Sequence, residues 1–526
     1  MTKKLQPLPL ANKALFNTVG MTVSILLLTG CAVGPNFQSP SANTDAAVNV
    51  VNLTNRQDYN DPYPVSNHQL SSHWWALFND PALSNLIVRS QAANLDLQIM
   101  TSRIEQSRAN LGITSAEGLP SLSSTTSYSR ERISEKGRFA ALGAPTDSDN
   151  FWQLGFDATW ELDLWGHIQR AEESATAAFK ATLYDKEMFN ISLAAEVARH
   201  YLQFRSLQAQ LNITQQNQEI AQQKVKLVAS QARNGLAAGF EISMAEAQLA
   251  TINAQRPKLK QRRNAQLNSL ALLLGEPPRV LDELLTDAIA LPSLPDEIPI
   301  GIPATLVQRR PDILQAEAKL HQATADIGVA KADFYPRITL TGNAGLQGFD
   351  SHDLSSWDAR FFSVGPSVYL PIFQGGRLKQ RLKLTQAKQK EAALSYRKTV
   401  LTAWHEVDNA LDGLASQRSQ VEYLNVAFKN NQQALHFAQR KYEQGVGNYL
   451  EVLTAQRNLL NSQMALNDSE TNATLRLVTL YKALGGGWDN NLVDTSLSEQ
   501  ATLSPTQIKA SNTALAIAQH LDEEHP

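Results

Sequence analysis

Cysteine is almost missing from this 526-residue sequence: one occurs, Cys31. A single thiol excludes an intrachain disulfide framework and the Cys-rich zinc motifs. Charge of one sign is missing as well, since 47 Lys and Arg stand against 50 Asp and Glu, a formal net charge of −3. That balance favours neither a polyanion-binding surface nor an acidic tail, so no nucleic-acid partner is expected. Beyond the N-terminus there is no run of about 18 apolar residues, which excludes a membrane-crossing helix from the mature chain. Entry into a membrane must then use strands or a lipid. Catalytic signatures are absent too: there is no HExxH, no GxSxG and no GxxxxGK[ST]. The histidines are scattered singly. His405-Glu406 has no second ligand at suitable spacing and reads as surface or interface, while Glu172-Glu173 reads as a solvated helix start. No catalytic residue, metal ligand or bound cofactor is expected.

The N-terminus supplies the compartment. Lys3, Lys4 and Lys13 precede an apolar stretch from Val23 to Leu28, followed by Thr29-Gly30-Cys31. A charged segment, a short apolar segment and small residues form a signal peptide, residues 1–30. Leu28-Thr29-Gly30-Cys31 is similar to a bacterial lipobox, in which the cysteine becomes the N-terminus and carries a diacylglycerol and a fatty acyl group. Ala32, where an Asp would retain such a lipoprotein in the inner membrane, implies sorting to the outer membrane. One acyl chain anchors only marginally, so the lipid is expected to supplement another membrane-embedded part.

The chain also repeats itself. Gly166, Gly235 and Gly275 recur as Gly376, Gly445 and Gly485, each 210 residues later. A period this long is a duplication rather than a solenoid, and each copy reads helix, strand, strand, long helix, tip, helix. Between the copies, Pro277 to Pro303 carries six prolines and reads as an irregular connector. The long helices run from Gly166 to Arg233 and from Gly376 to Gln444 without proline. At about 1.5 Å per residue each would reach roughly 100 Å. A 4-3 spacing follows both, as in Val400, Trp404, Val407, Leu411 and Leu414, with Ala194, Val197 and Tyr201 on the equivalent stripe. Such a period means helices packed lengthwise with left-handed supercoiling. A simple coiled-coil dimer shares that period, but apolar residues thin towards the tip and Ala, Gln, Asn and Ser cover much of the rest. A wide wall around water would look like this.

The strands have period two. From Trp152 to Leu164 every even position is apolar, and the odd positions run Gln153, Gly155, Asp157, Thr159, Glu161, Asp163. Strands are expected at about 120–129, 151–164, 336–347 and 361–373. A soluble antiparallel sheet with one wet face alternates in the same way. The export signal, the lengths, and Trp152, Trp160, Trp165, Phe361 and Phe373 near strand ends favour membrane strands. Lipid forbids an open sheet edge, and four strands cannot enclose a lumen, so closure requires several chains.

With these features in place, five short segments in order resemble the TolC-like outer-membrane factors, in the branch of efflux-system lipoproteins. They are Gly30 to Pro35; Trp74-Trp75 with Phe78, Asp80-Pro81 and Leu83; Arg309-Arg310-Pro311-Asp312; Phe334-Tyr335-Pro336; and Ala483 to Trp488, with Cys31 heading the series. The resemblance spans nearly the whole mature chain. It implies an α+β membrane protein: a homotrimer whose four strands per chain form a 12-stranded transmembrane β-barrel, continuous with a long periplasmic α-helical coiled-coil barrel. The expected division is 31–75 lipidated segment, 76–275 first repeat, 276–303 connector, 304–487 second repeat and 488–526 tail; 41–70 and 489–526 are expected to wrap loosely or to be disordered. The resemblance also implies outer-membrane lipid, a periplasmic adaptor and an inner-membrane pump, of the resistance-nodulation-division type, as partners. A duct for type I protein secretion, a coiled-coil adaptor lipoprotein and a surface lipoprotein hydrolase are the alternatives; the adaptor lacks membrane strands, and nothing catalytic supports the hydrolase. The family closes its periplasmic end by drawing helix tips together. Relatives place Leu, Asp and Arg where this chain has Leu450, Thr454 and Arg457. Thr454 departs from that pattern, and Glu451, three residues earlier on nearly the same helix face, is expected to supply the acidic ring with Leu450 as the apolar constriction. Gly235, Gly239, Gly445 and Gly447 permit tight reversals at the two tips, and the resemblance implies that both tips contact the adaptor.

Overall fold

The computed structural model describes residues 32–40, 65–66, 72–235, 238–285, 291–292, 298–299 and 309–488. The signal peptide, Cys31, most of the 41–70 segment, much of the connector and the tail beyond Trp488 lie outside the described residues. Apart from single turns at Arg138–Ala141, Asp353–Ser355 and Trp357–Ala359, the elements in chain order are β1 (Val65–Ser66), a 3-10 turn (Trp74–Phe78), α1 (Pro81–Ala93), α2 (Leu95–Ala116), β2 (Ser121–Arg132), β3 (Ser148–Leu162), α3 (His167–Arg233), α4 (Gly239–Leu273), β4 (Ile298–Pro299), α5 (Pro311–Ala332), β5 (Arg337–Gly348), β6 (Arg360–Tyr369), α6 (Arg377–Glu443) and α7 (Tyr449–Ala483). Lengths recur: α2 and α5 have 22 residues each, α3 and α6 have 67, α4 and α7 have 35. All six glycines spaced by 210 have φ between +68° and +84°. Four of them follow a helix end by two residues, where a left-handed residue satisfies the last carbonyls and only glycine does so without a Cβ clash.

The chain divides into two compact units. One comprises residues 1–40, 104–181 and 316–396. It contains the antiparallel sheet, in the order β2-β3-β5-β6. Cross-strand partners share a face, so Phe156, Ala344 and Phe362 form one row and Trp160, Leu340 and Pro366 another. That face is apolar and open: Phe362 is 82% exposed and Val364 72%. β2 pairs along all 12 residues although its Ser/Thr-rich sequence hardly alternates, because β3 supplies the ladder. β6 is shorter than the expected 361–373 and stops at Tyr369; Pro371 has no N–H for a ladder bond. β2 and β6 are the unpaired edges of the sheet.

Residues 32–40 form a strap on this unit. Val33 N–H donates to the Trp165 carbonyl at 3.0 Å, and Phe37 stacks on His321 at 4.3 Å. Gly34, at φ +110°, lies so close to Gly328 that a Cβ would sit 2.6 Å from the Gly328 Cα. Arg170 donates to Asn36 Oδ1 and to Glu173 Oε2, both at 2.6 Å, and His321 Nε2 lies 2.8 Å from Glu173 Oε1. Burial pushes the Glu173 carboxyl up, but hydrogen bonds from His321 and Arg170, with their charges, outweigh it and hold the group below its ordinary value.

The other unit comprises residues 41–103, 182–315 and 397–526. Its main core gathers Trp74, Phe78, Leu83, Ile87, Tyr201, Phe204, Leu270, Val407, Leu477 and Tyr481. Trp74 stacks on Tyr481 at 5.5 Å. Asp80 caps α1 through the N–H groups of Ala82 and Leu83 and accepts the Tyr201 hydroxyl at 2.6 Å. Arg310 ties several elements of this unit together. Its guanidinium, 8% exposed, donates to Asp312, to Glu406 and to the Ala483 carbonyl that ends α7. Trp488 Nε1 donates to the Arg309 carbonyl at 2.8 Å. Two segments that carry the resemblance, 309–312 and 483–488, therefore bind each other, and Glu406 is part of their lock.

Two outcomes follow. Arg310→Met leaves Glu406 and Asp312 without their buried partner and is expected to destabilise by about 3–5 kcal/mol, read as a lower denaturant midpoint by tryptophan fluorescence. Glu173 has a lowered pKa, so its stabilisation is present above the unfolded value near pH 4.5 and is lost as pH falls through the folded one. Glu173→Gln is thus expected to cost about 1–3 kcal/mol at pH 7. Protease cleavage within 32–40 should distinguish it from wild type at pH 7, and the difference should shrink as pH falls below 4.5.

Candidate gate at the helix tips

Both tips are reversals between a long and a short helix, and both belong to the second unit. At the α6–α7 tip, Gly445 (φ +75°) donates to the Tyr442 carbonyl, while Val446 and Gly447 N–H both donate to the Lys441 carbonyl, at 3.0 and 3.1 Å. Gly447 passes so near that a Cβ would lie 3.0 Å from Lys441 Cβ. Asn448 then caps α7, its side-chain oxygen accepting from Glu451 N–H at 2.9 Å. At the α3–α4 tip, Gly235 (φ +76°) donates to the Ala232 carbonyl, and Gly239 opens α4; residues 236–237 are outside the described set.

The start of α7 has two faces. Tyr449, Val452, Leu453 and Gln456 are buried, while Leu450, Glu451, Thr454 and Arg457 are exposed. The helical period therefore gathers all four expected gate residues on the open face. Leu450 is 51% exposed, and Thr454 Oγ1 donates back to its carbonyl at 2.8 Å, turning the hydroxyl onto the helix. Thr454 is thus a satisfied neutral group, and the charge at this turn comes from Glu451. Its carboxylate meets Lys441 Nζ at 3.3 Å, both side chains about half exposed. Lys441 escaped the sequence reading because it lies ten residues upstream; only the folded-back turn puts it beside Glu451.

The buried face explains how the tips are held. Tyr449 packs with Val228 and Ala245 from the other hairpin, flanked by Val225, Ile242 and Tyr442. Tyr442 donates to Gln231 Oε1 at 3.0 Å. Burial, followed by the charge of Glu241, raises the Tyr442 phenol; burial, then Tyr442 and Glu241, raises Tyr449. Both phenols therefore stay neutral at ordinary pH, and Tyr442 keeps the proton it donates to Gln231. Further from the tips, a cleft of about 460 Å³ is lined by Gln203, Gln210, Gln261, Gln266, Asp468 and Asn472 among others. Burial raises Asp468 despite hydrogen bonds from Asn467 and Gln210 and the charge of Arg262. The polar residues noted between the apolar stripes are thus used as amide-lined contacts between helices.

A family model described as "outer membrane efflux protein" matches residues 86–276 and 302–486. The chain is 32% identical, over 422 residues, to the pyoverdine export outer membrane protein OpmQ of Pseudomonas aeruginosa, covering 80% of this chain and 88% of that one. It is 31% identical to the solvent efflux pump outer membrane protein SrpC of Pseudomonas putida, covering 88% and 97%. Among solved structures it is similar to the outer-membrane channel OprN, with a TM-score of 0.78 at 31% identity, over 87% of this chain and all of that one. The Campylobacter jejuni CmeC outer membrane channel gives the same TM-score at 25% identity, over 90% and 100%. Paired long-helix hairpins, an open-faced antiparallel sheet and these matches agree: the chain belongs to the outer membrane efflux protein family and serves as an efflux duct of the outer membrane.

Proposed function

We propose that three copies of this chain close one twelve-stranded barrel through the outer membrane, and that their helices continue it as a periplasmic tunnel. The observation that carries this reading is the sheet itself: four strands, two unpaired edges and a continuous apolar face covered by nothing in the described chain. In hydrocarbon each edge must find a strand partner, and pairing β6 of one copy with β2 of the next satisfies both. The matched lengths of α2 and α5, α3 and α6, and α4 and α7, with a family model that matches twice, support an internal duplication that gives each subunit two hairpins. The acyl groups on Cys31 are a second anchor beside the barrel.

The duct is a passive conduit without catalysis of its own. It receives cargo from an inner-membrane pump, of the resistance-nodulation-division type, through a periplasmic adaptor that meets the tips near Gly235, Gly239, Gly445 and Gly447. The relatives are named for cargoes as unlike as pyoverdine and organic solvents, which favours selection by the pump. Leu450 is the apolar constriction of the closed end. Three copies of Glu451 make an acidic ring there, partly neutralised by Lys441, with Thr454 and Arg457 on the same face.

Recovery of a heat-modifiable trimer in the outer-membrane fraction is expected; a soluble, monomeric mature chain overturns the duct. In planar bilayers, Glu451→Gln is expected to lower cation preference and Lys441→Gln to raise it, since each carboxylate then loses its counter-charge. Reversal potentials equal to wild type in both variants would mean a purely steric gate.

A further inference from the structure

The first turns of α6 are unusually basic. Residues 377–398 contain eight Lys and Arg and a single acid, Glu391. The matching stretch of α3, residues 167–188, contains three Lys and Arg against four acids. The same helical position in the other hairpin therefore does without this charge, so it is not required by the architecture.

Two of these cations, Arg377 and Arg381, converge with Arg337 of β5 on a cleft. A cavity of about 240 Å³ at the start of α6 is lined by Asp333, Tyr335, Arg337, Tyr369, Arg377 and Arg381, among others. Against about 30 Å³ per water, it holds one phosphate-sized group with several waters. Asp333, 7% exposed, already accepts from Arg337 at 2.7 Å and faces Arg381 at 3.3 Å. One carboxylate is thus shared by two guanidiniums, leaving a surplus of positive charge. Arg377 adds to it: its hydrogen bonds go to the neutral Gln374 side chain, and among the described residues no carboxylate pairs with it. Gln374 is itself turned by a hydrogen bond to the Tyr369 hydroxyl at 3.0 Å. All these residues belong to the first unit.

The side of the sheet is fixed by register. Arg337 lies directly opposite Tyr369, in the odd-numbered series that includes Thr339, Thr341 and Asn343. The even-numbered series, Ile338, Leu340 and Val368, is the apolar face. If apolar residues face lipid, the three arginines face the water-filled interior at the last rung of the strands.

We infer that this cleft is an anion site, in which Arg337, Arg377 and Arg381 bind one phosphate- or carboxylate-bearing group per chain on the inner wall of the duct. The planar guanidinium fork matches the oxygens of either group, and the start of a long helix adds a positive dipole end. The pore-side placement rests on the barrel reading proposed above; the binding chemistry does not.

The test uses purified full-length protein titrated calorimetrically with inorganic phosphate. Saturable binding of one phosphate per chain is expected, at least tenfold weaker in Arg377→Gln. That variant removes a cation without stripping any carboxylate of its partner. Arg440→Gln, at the far end of α6, should bind as wild type does. Equal phosphate affinity in wild type and Arg377→Gln overturns the site. Binding of nanodiscs containing phosphatidylglycerol, with no response to inorganic phosphate, overturns the solute as its occupant and assigns a lipid headgroup. In planar bilayers Arg377→Gln is expected to reduce the anion-to-cation permeability ratio. Weaker phosphate binding with an unchanged ratio overturns the pore-side placement alone, whereas loss of the trimer from the outer membrane would have failed the duct reading separately.

Discussion

Arg310 is a charge with almost no access to water, and a group of that kind persists only where its donors are matched. Here they are matched by three different stretches of chain: Asp312 at the head of α5, Glu406 in α6 and the Ala483 carbonyl at the foot of α7. An apolar contact could slide along a helix by a turn with little penalty. A forked guanidinium cannot, because its geometry fixes both distance and direction. Helices of 67 residues have many near-equivalent registers along an Ala-rich and Gln-rich surface, and a point of this sort selects one of them. The aromatic stack of Trp74 on Tyr481 and the Trp488 bond to the Arg309 carbonyl add further fixed points in the same core.

The sheet faces the opposite problem. It has apolar area and backbone edges in excess of anything its own chain can cover. In water that combination promotes aggregation; in a bilayer it becomes a requirement for neighbours. Phe361 illustrates the economy of the wet face. Its ring lies over Gly155 and Gly345, where an added Cβ on Gly345 would come within 2.9 Å of it. The glycines admit a ring that fills the space their missing side chains leave.

Much of this was legible in the sequence because the strongest signals are local. The long helices were expected over 166–233 and 376–444 and occur as His167–Arg233 and Arg377–Glu443. Absence of proline and a glycine at each end were enough. β3 was legible from alternation; β2, expected at about 120–129, occurs as Ser121–Arg132, although its Ser and Thr suit either face and its partner decides which. Pro257 lies inside α4 without ending it. At the tip, the exposed face of α7 followed from helical spacing. The Lys441–Glu451 pair and the Tyr442–Gln231 bond did not, because they depend on how a five-residue turn and two hairpins meet in space.

The strap has a consequence for the order in which the molecule is built. Its contacts reach from Asn36 to Arg170 and from Ser39 to Glu317, separations of 134 and 278 residues. Loops that long close slowly, and contacts of high sequence separation form late. Gly34 cannot meet Gly328 until more than half of the polypeptide has been made and α5 has folded. The strap is therefore among the last parts of its unit to dock. Until then, residues 32–40 have none of the partners that hold them in the finished protein.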